Sequence, residues 1–110
     1  MHFRYLILLV TSLMISIPTH AQKEKTDTHI TGHVVENGEH IPFASIYIKG
    51  TTIGTVTDES GHYRLPDVPV GNLNLVATFV GYKPREMSIT TRPGNTHEVN
   101  FNLEKDVLGL

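Results

Sequence analysis

Histidine is the residue type here with the most chemistry to offer. The chain has 110 residues with seven histidines, no cysteine and no tryptophan, and five of the histidines (His29, His33, His40, His62 and His97) lie beyond residue 21. His29 and His33 fall on the same face of an alternating segment, which raises the question of a shared metal ion. In an extended chain rising ~3.3 Å per residue they stand about 13 Å apart, too far for two bonds of ~2.0–2.1 Å to one ion. No carboxylate or second histidine follows either at i+2. The pattern therefore predicts solvent-facing strand histidines, with no metal and no cofactor. Asp58, Ser60 and His62 are the residue types of a hydrolytic triad, but a triad needs a base bonded to the nucleophile and oriented by the acid. Three residues on one tight turn point outward along one edge, and Asp and Ser suit a turn for backbone reasons alone. No catalytic residue is assigned. Of the tyrosines, Tyr63 is expected in the core, whereas Tyr47, on an outward face with Lys49, is the residue to test as a contact surface.

The elements that must position these side chains are short. From His29 onward, brief alternating stretches are separated by Gly, Pro, Asn and Asp, the pattern of an all-β sandwich. Ile30, Gly32 and Val34 alternate with polar neighbours. Asn37-Gly38 is the strongest short turn signal, since both residues tolerate positive φ. Pro42 cannot donate to a ladder, so the next strand starts beyond it, with Ala44, Ile46 and Ile48 inward and Ser45, Tyr47 and Lys49 outward. Gly54 to Thr57 makes a short strand, and His62 to Leu65 follows the turn at Asp58–Gly61. The longest strand is expected over Asn72 to Val80, with one fully apolar face and one mixed. Met87 and Ile89 alternate next, and the last strand carries Val99, Phe101 and Leu103 inward. About seven strands and little or no helix are expected in this part of the chain.

Residues 1–21 have the form of a secretory signal. Arg4 supplies a positive start, Leu6 to Ile17 is an apolar run of 12 residues, and Thr19-His20-Ala21 places small residues at the cleavage positions. A spanning helix needs ~20 mostly apolar residues, so export with cleavage after Ala21 is expected rather than anchoring. Cleavage removes one cation, Arg4, and takes the formal charge from −2 to −3. That mild acidity gives no electrostatic footprint for nucleic acid. Residues 22–28 (QKEKTDT) lack apolar periodicity and are expected to be a flexible lead-in. Without cysteines, stability must come from sheet pairing and apolar burial.

The order of several blocks is more specific than their alternation. Ile30-Thr31-Gly32-His33-Val34-Val35, Ile41-Pro42-Phe43-Ala44-Ser45-Ile46, Gly50-Thr51-Thr52-Ile53-Gly54-Thr55 and Thr57-Asp58-Glu59-Ser60-Gly61-His62-Tyr63 resemble successive blocks of the carboxypeptidase-regulatory-like domain. Val68-Pro69-Val70-Gly71 and Phe79-Val80-Gly81-Tyr82-Lys83 continue the pattern. The resemblance spans residues 29–104 and is strongest to the version at the amino terminus of TonB-dependent outer-membrane receptors of the Bacteroidetes starch-utilisation (SusC-like) type. It implies a Greek-key β-sandwich of the transthyretin (prealbumin) kind. Residues 105–110 resemble the segment leading towards the TonB box, where the chain stops before any plug or barrel.

The resemblance implies a non-catalytic periplasmic or outer-membrane-associated module from a truncated nutrient receptor. Its partners would be envelope proteins or the remainder of the receptor system. The alternative from the sequence is a free-standing secreted module for adhesion or envelope scaffolding, since edge strands accept further strands. Hydroxyisourate hydrolases share a similar fold, but their carboxy-terminal Tyr-Arg-Gly-Ser block is missing from Val107-Leu108-Gly109-Leu110.

Overall fold

The structure, a computed structural model, describes residues 25–107; the expected signal at 1–21 and the end of the tail at 108–110 lie outside the described residues. Nine strands form two sheets. They are β1 (His29–Glu36), β2 (Glu39–His40), β3 (Ser45–Ile48), β4 (Gly54–Val56), β5 (His62–Leu65), β6 (Gly71–Thr78), β7 (Arg85–Thr91), β8 (Thr96–Glu98) and β9 (Phe101–Asn102). Among the described residues there is no helix.

The second sheet has the order β4-β3-β6-β7, antiparallel throughout. The first sheet is organised around β1. Val34 donates its N–H to Gly61 O (3.0 Å) and accepts the N–H of Ile41 (2.8 Å). The N–H and C=O of one strand residue point to the same side, so β5 and β2 lie end to end along one edge of β1. β8 and β9 run parallel to β1 along the other edge, where Thr31 O accepts the N–H of Val99 and Val35 O that of Leu103, each at 2.8 Å. Asn37 (φ 49°) and Gly38 (φ 82°) supply the two positive φ values that a two-residue hairpin turn between β1 and β2 requires.

The core lies between the sheets, where Ile30, Val34, Leu65 and Phe101 meet Ile46, Ile48, Leu75 and Ala77. All are essentially inaccessible to solvent. The inward alternation expected for β1, β3, β5 and the last segment holds, because a period-2 pattern fixes the face of every side chain once one face is buried. Val76, on the outward face of β6 opposite Tyr47, is also buried, which matches the mixed second face expected of that strand.

Three features depart from the sequence pattern. Glu39–His40 forms a two-residue strand that alternation cannot reveal. The last segment is split, because the ladder beside Gly32 is interrupted. There the Val99 carbonyl turns onto the Tyr63 hydroxyl, and the Asn100 side chain takes its place as acceptor for the His33 N–H at 3.0 Å. The end of the lead-in is also tied down. Thr28 is fully buried and donates to Arg92 O (3.1 Å), while Thr26 Oγ1 donates to Val68 O (2.9 Å). Threonine hydroxyls that find backbone carbonyls order a polar segment that has no apolar periodicity.

Candidate functional site

The described chain leaves the domain at a built corner. Lys83 N–H donates to Glu104 O (2.8 Å), Asp106 N–H donates to Gly81 O (2.9 Å), and Tyr82 and Lys105 face each other as an antiparallel bridge. Glu36, at the end of β1, lies between them, with its carboxylate 3.9 Å from Lys105 Nζ. Hydrogen bonding to that carboxylate, with burial adding, holds the Tyr82 phenol above its ordinary range. Lys105 and Asp106, expected to begin a linker, are thus docked on the 81–83 bend.

Beside this corner is an open depression lined by Phe43, Phe79, Val80, Pro84 and Asp106. Phe43 is 61% exposed and Val80 91%. Phe43 also has φ 61°, a left-handed backbone that costs a bulky residue on the order of 1–3 kcal/mol. The conformation is imposed by its neighbours. Phe43 N–H donates to Thr57 O (3.1 Å), and Ala44 N–H to the Thr57 hydroxyl (2.8 Å). Buried bonds on both sides leave the ring facing water.

Tyr47 lies further along the outer face of β3, and Lys49 follows just past the strand's end; both are exposed. Tyr47 is 39% exposed, and Lys49 Nζ pairs with Glu86 at 3.3 Å, an exposed contact worth ~0.5 kcal/mol or less. Tyr63 is buried, as the sequence predicts. Burial first, then the charge of Glu98, pushes its phenol above the normal range.

Asp58, Ser60 and His62 come together only as a turn. Asp58 Oδ1 accepts the N–H of Ser60 (2.8 Å) and of His62 (3.0 Å). These bonds, that from His62 foremost, lower its pKa below the ordinary 3.8. A carboxyl whose folded pKa is depressed contributes stability that is complete above the unfolded value and lost as pH falls through the folded one. Thermal unfolding between pH 6 and 2 should show this loss only below about pH 4. Asp58→Asn, which keeps an acceptor but cannot titrate, should flatten that part of the profile.

The histidines divide in a way the sequence does not predict. His29 Nδ1 accepts the Asp67 N–H and His97 Nε2 the Arg92 N–H, both at 3.0 Å, so these two are structural acceptors rather than simply solvated side chains. His33, His40 and His62 gather on the opposite end of the outer face of the first sheet. The Asn37-Gly38 turn is legible in the sequence, but the pairing it makes, which brings His40 back beside β1 opposite Val35, is not.

Two stacked sheets around one apolar core, with a pinned exit and a small exposed apolar corner, define a β-sandwich module. The chain belongs to the CarboxypepD_reg-like domain family, which matches residues 30–110. It is similar to the TonB-dependent receptor SusC of Bacteroides thetaiotaomicron, 32% identical over 91 residues that cover 82% of this chain and 8% of that receptor. Two TonB-dependent receptors of Formosa agariphila are 41% identical over 87 residues and 34% identical over 77, covering 79% and 70% of this chain and 8% and 7% of the receptors. The chain therefore spans less than a tenth of the length of these relatives. Its fold is similar to that of a chain in the type II cohesin–X–dockerin complex of Acetivibrio cellulolyticus, with a TM-score of 0.63 at 20% identity over 71% of this chain and 58% of that one.

Proposed function

We propose that this domain is a non-catalytic interaction module of an outer-membrane TonB-dependent receptor system, exported to the periplasm, where it presents the Phe43–Val80 corner to the receptor portion that follows such a domain. The observation that carries this reading is Phe43: an aromatic side chain in a strained backbone conformation, exposed, beside the point where the chain leaves the sandwich. Backbone strain of this kind persists where surrounding structure enforces it, and it is concentrated at functional positions. The receptors to which the chain is similar match it over this same module, which supports a role within such an assembly. Tyr47, further along the same face, forms the outer part of the surface.

Photo-crosslinking from position 80 in intact envelopes tests this reading. The expected product is a covalent adduct with a receptor polypeptide, lost in Phe43→Asp. Both side chains are exposed and Asp tolerates the left-handed backbone at position 43 better than Phe, so neither Phe43→Asp nor the residue-80 probe should unfold the domain. Failure of the corner to crosslink to any envelope protein would overturn the proposal. A crosslink undiminished by Phe43→Asp would remove Phe43 from it.

A further inference from the structure

We propose that His33, His40 and His62 form a binding site for a zinc-class divalent ion on the outer face of the first sheet, independent of the interaction corner. The backbone dictates the cluster. β2 and β5 abut along one edge of β1, and Val34 and Gly61 are bonded partners on that edge. The next pair, His33 and His62, is therefore directly opposed without mutual backbone bonds, the pairing in which Cα atoms approach to ~4.5 Å and side chains crowd most. His40 stands opposite Val35, two residues from His33 on the same face. Register alone thus places three imidazoles side by side.

Gly61 makes the junction of β2 and β5 close enough. A Cβ on Gly61 would lie 2.6 Å from His40 Cβ and 3.0 Å from Ile41 N, and the residue has φ 78°. With glycine there, His40 and His62 approach to 5.1 Å between ring centroids, and His33 lies 5.2 and 5.8 Å from them. One nitrogen from each ring lies within 4.8 Å of the other two. Tetrahedral bonds of ~2.0–2.1 Å require nitrogens about 3.3 Å apart, so the rings need to close by ~1.5 Å at most. His40 and His62 are exposed and His33 is half-buried, so small rotations suffice.

The chemistry of the three also separates them from the other histidines. His29 and His97 each spend a ring nitrogen on a backbone N–H. No hydrogen bond engages the ring nitrogens of His33, His40 or His62 among the described residues. Imidazole suits Zn, Cu and Ni rather than Ca or Mg. Three imidazoles leave a coordination position open to water or to a ligand from a partner, as in zinc sites with three protein ligands. The sequence expectation of no metal rested on His29 and His33; the strands β2 and β5 supply two different partners for His33.

Isothermal titration of the full chain with Zn2+, run beside thermal melts, tests the site. One ion per chain is expected, with the melting midpoint raised by about 10 °C at zinc a hundredfold above Kd, and no response to Mg2+. His33→Ala, His40→Ala and His62→Ala should each weaken zinc binding at least about tenfold while keeping the parent far-ultraviolet dichroism. His97→Gln, outside the cluster, should bind as the parent does. Absence of saturable binding would overturn the proposal. So would binding that survives His40→Ala and His62→Ala, which would assign the ion to other histidines.

Discussion

Gly32→Ala is expected to cost about 4 kcal/mol or more, a large fraction of the 5–15 kcal/mol that holds a domain together, and to lower the denaturation midpoint sharply. Gly32 lies inside β1, and its φ is not in the left-handed region, so conformational freedom is not the reason. Space is. A Cβ built there would sit 1.8 Å from Val99 O, 2.8 Å from Val99 C and 2.9 Å from Tyr63 Cε1. Two of these are backbone atoms of a segment pinned on both sides by Val99 N–H to Thr31 O and Asn100 Oδ1 to His33 N–H. The Tyr63 ring crosses the glycine to reach the Val99 carbonyl, and that bond would be lost as well. Denaturant unfolding by circular dichroism provides the measurement. Gly54→Ala is the informative contrast, because its Cβ would meet Ile46 O at 3.0 Å and Tyr47 Cβ at 3.1 Å, contacts that a short edge strand can relieve. A Gly32→Ala protein as stable as Gly54→Ala would show that Val99 does not cross β1 in this way.

The second large effect is expected at Thr57. Thr57→Val preserves shape and should still cost about 2–4 kcal/mol. The Thr57 hydroxyl accepts the Ala44 N–H and donates to Ile41 O, each at 2.8 Å, in a fully buried position. Valine would leave both backbone groups buried without partners, at roughly 1–3 kcal/mol for each. Thr57→Ser keeps both bonds and loses one methyl, so about 1 kcal/mol is expected. Equal stability of the valine and serine variants would contradict the bonding. These two bonds also fix the passage from β2 in one sheet to β3 in the other. Thr57→Val should therefore release the left-handed conformation of Phe43 and weaken crosslinking from the neighbouring corner, a readout separate from stability.

Much of this fold is legible in short windows of sequence. Alternation placed Ile30, Val34, Ile46, Ile48, Leu65 and Phe101 inward and Tyr47 outward, because a strand side chain changes face with every residue. Asn37-Gly38 announced its turn through the φ values those residues tolerate. Val99, Phe101 and Leu103 face inward as their spacing predicts, yet their segment breaks into β8 and β9, since a carbonyl turned towards Tyr63 leaves no trace in hydrophobic pattern. Nothing in the local sequence sets apart Thr28, at the end of the polar lead-in, or Thr57, at the end of a short expected strand. Their burial follows from backbone groups that lie 13–64 residues away along the chain.

The histidine cluster marks the boundary most clearly. From the sequence, His29 and His33 are the natural pair, since they share a face of one strand. In the fold, each has a different partner. His62 comes opposite His33 through the antiparallel register of β5 on β1, and His40 arrives through a strand of two residues with both side chains exposed. The amino-acid order by itself determined the class of fold, the inward set and the family, because those depend on local periodicity and on blocks of adjacent residues. Only the tertiary structure decided which exposed side chains meet, because strand pairing joins residues far apart in the chain, and no local preference encodes that two strands will share one edge of a third.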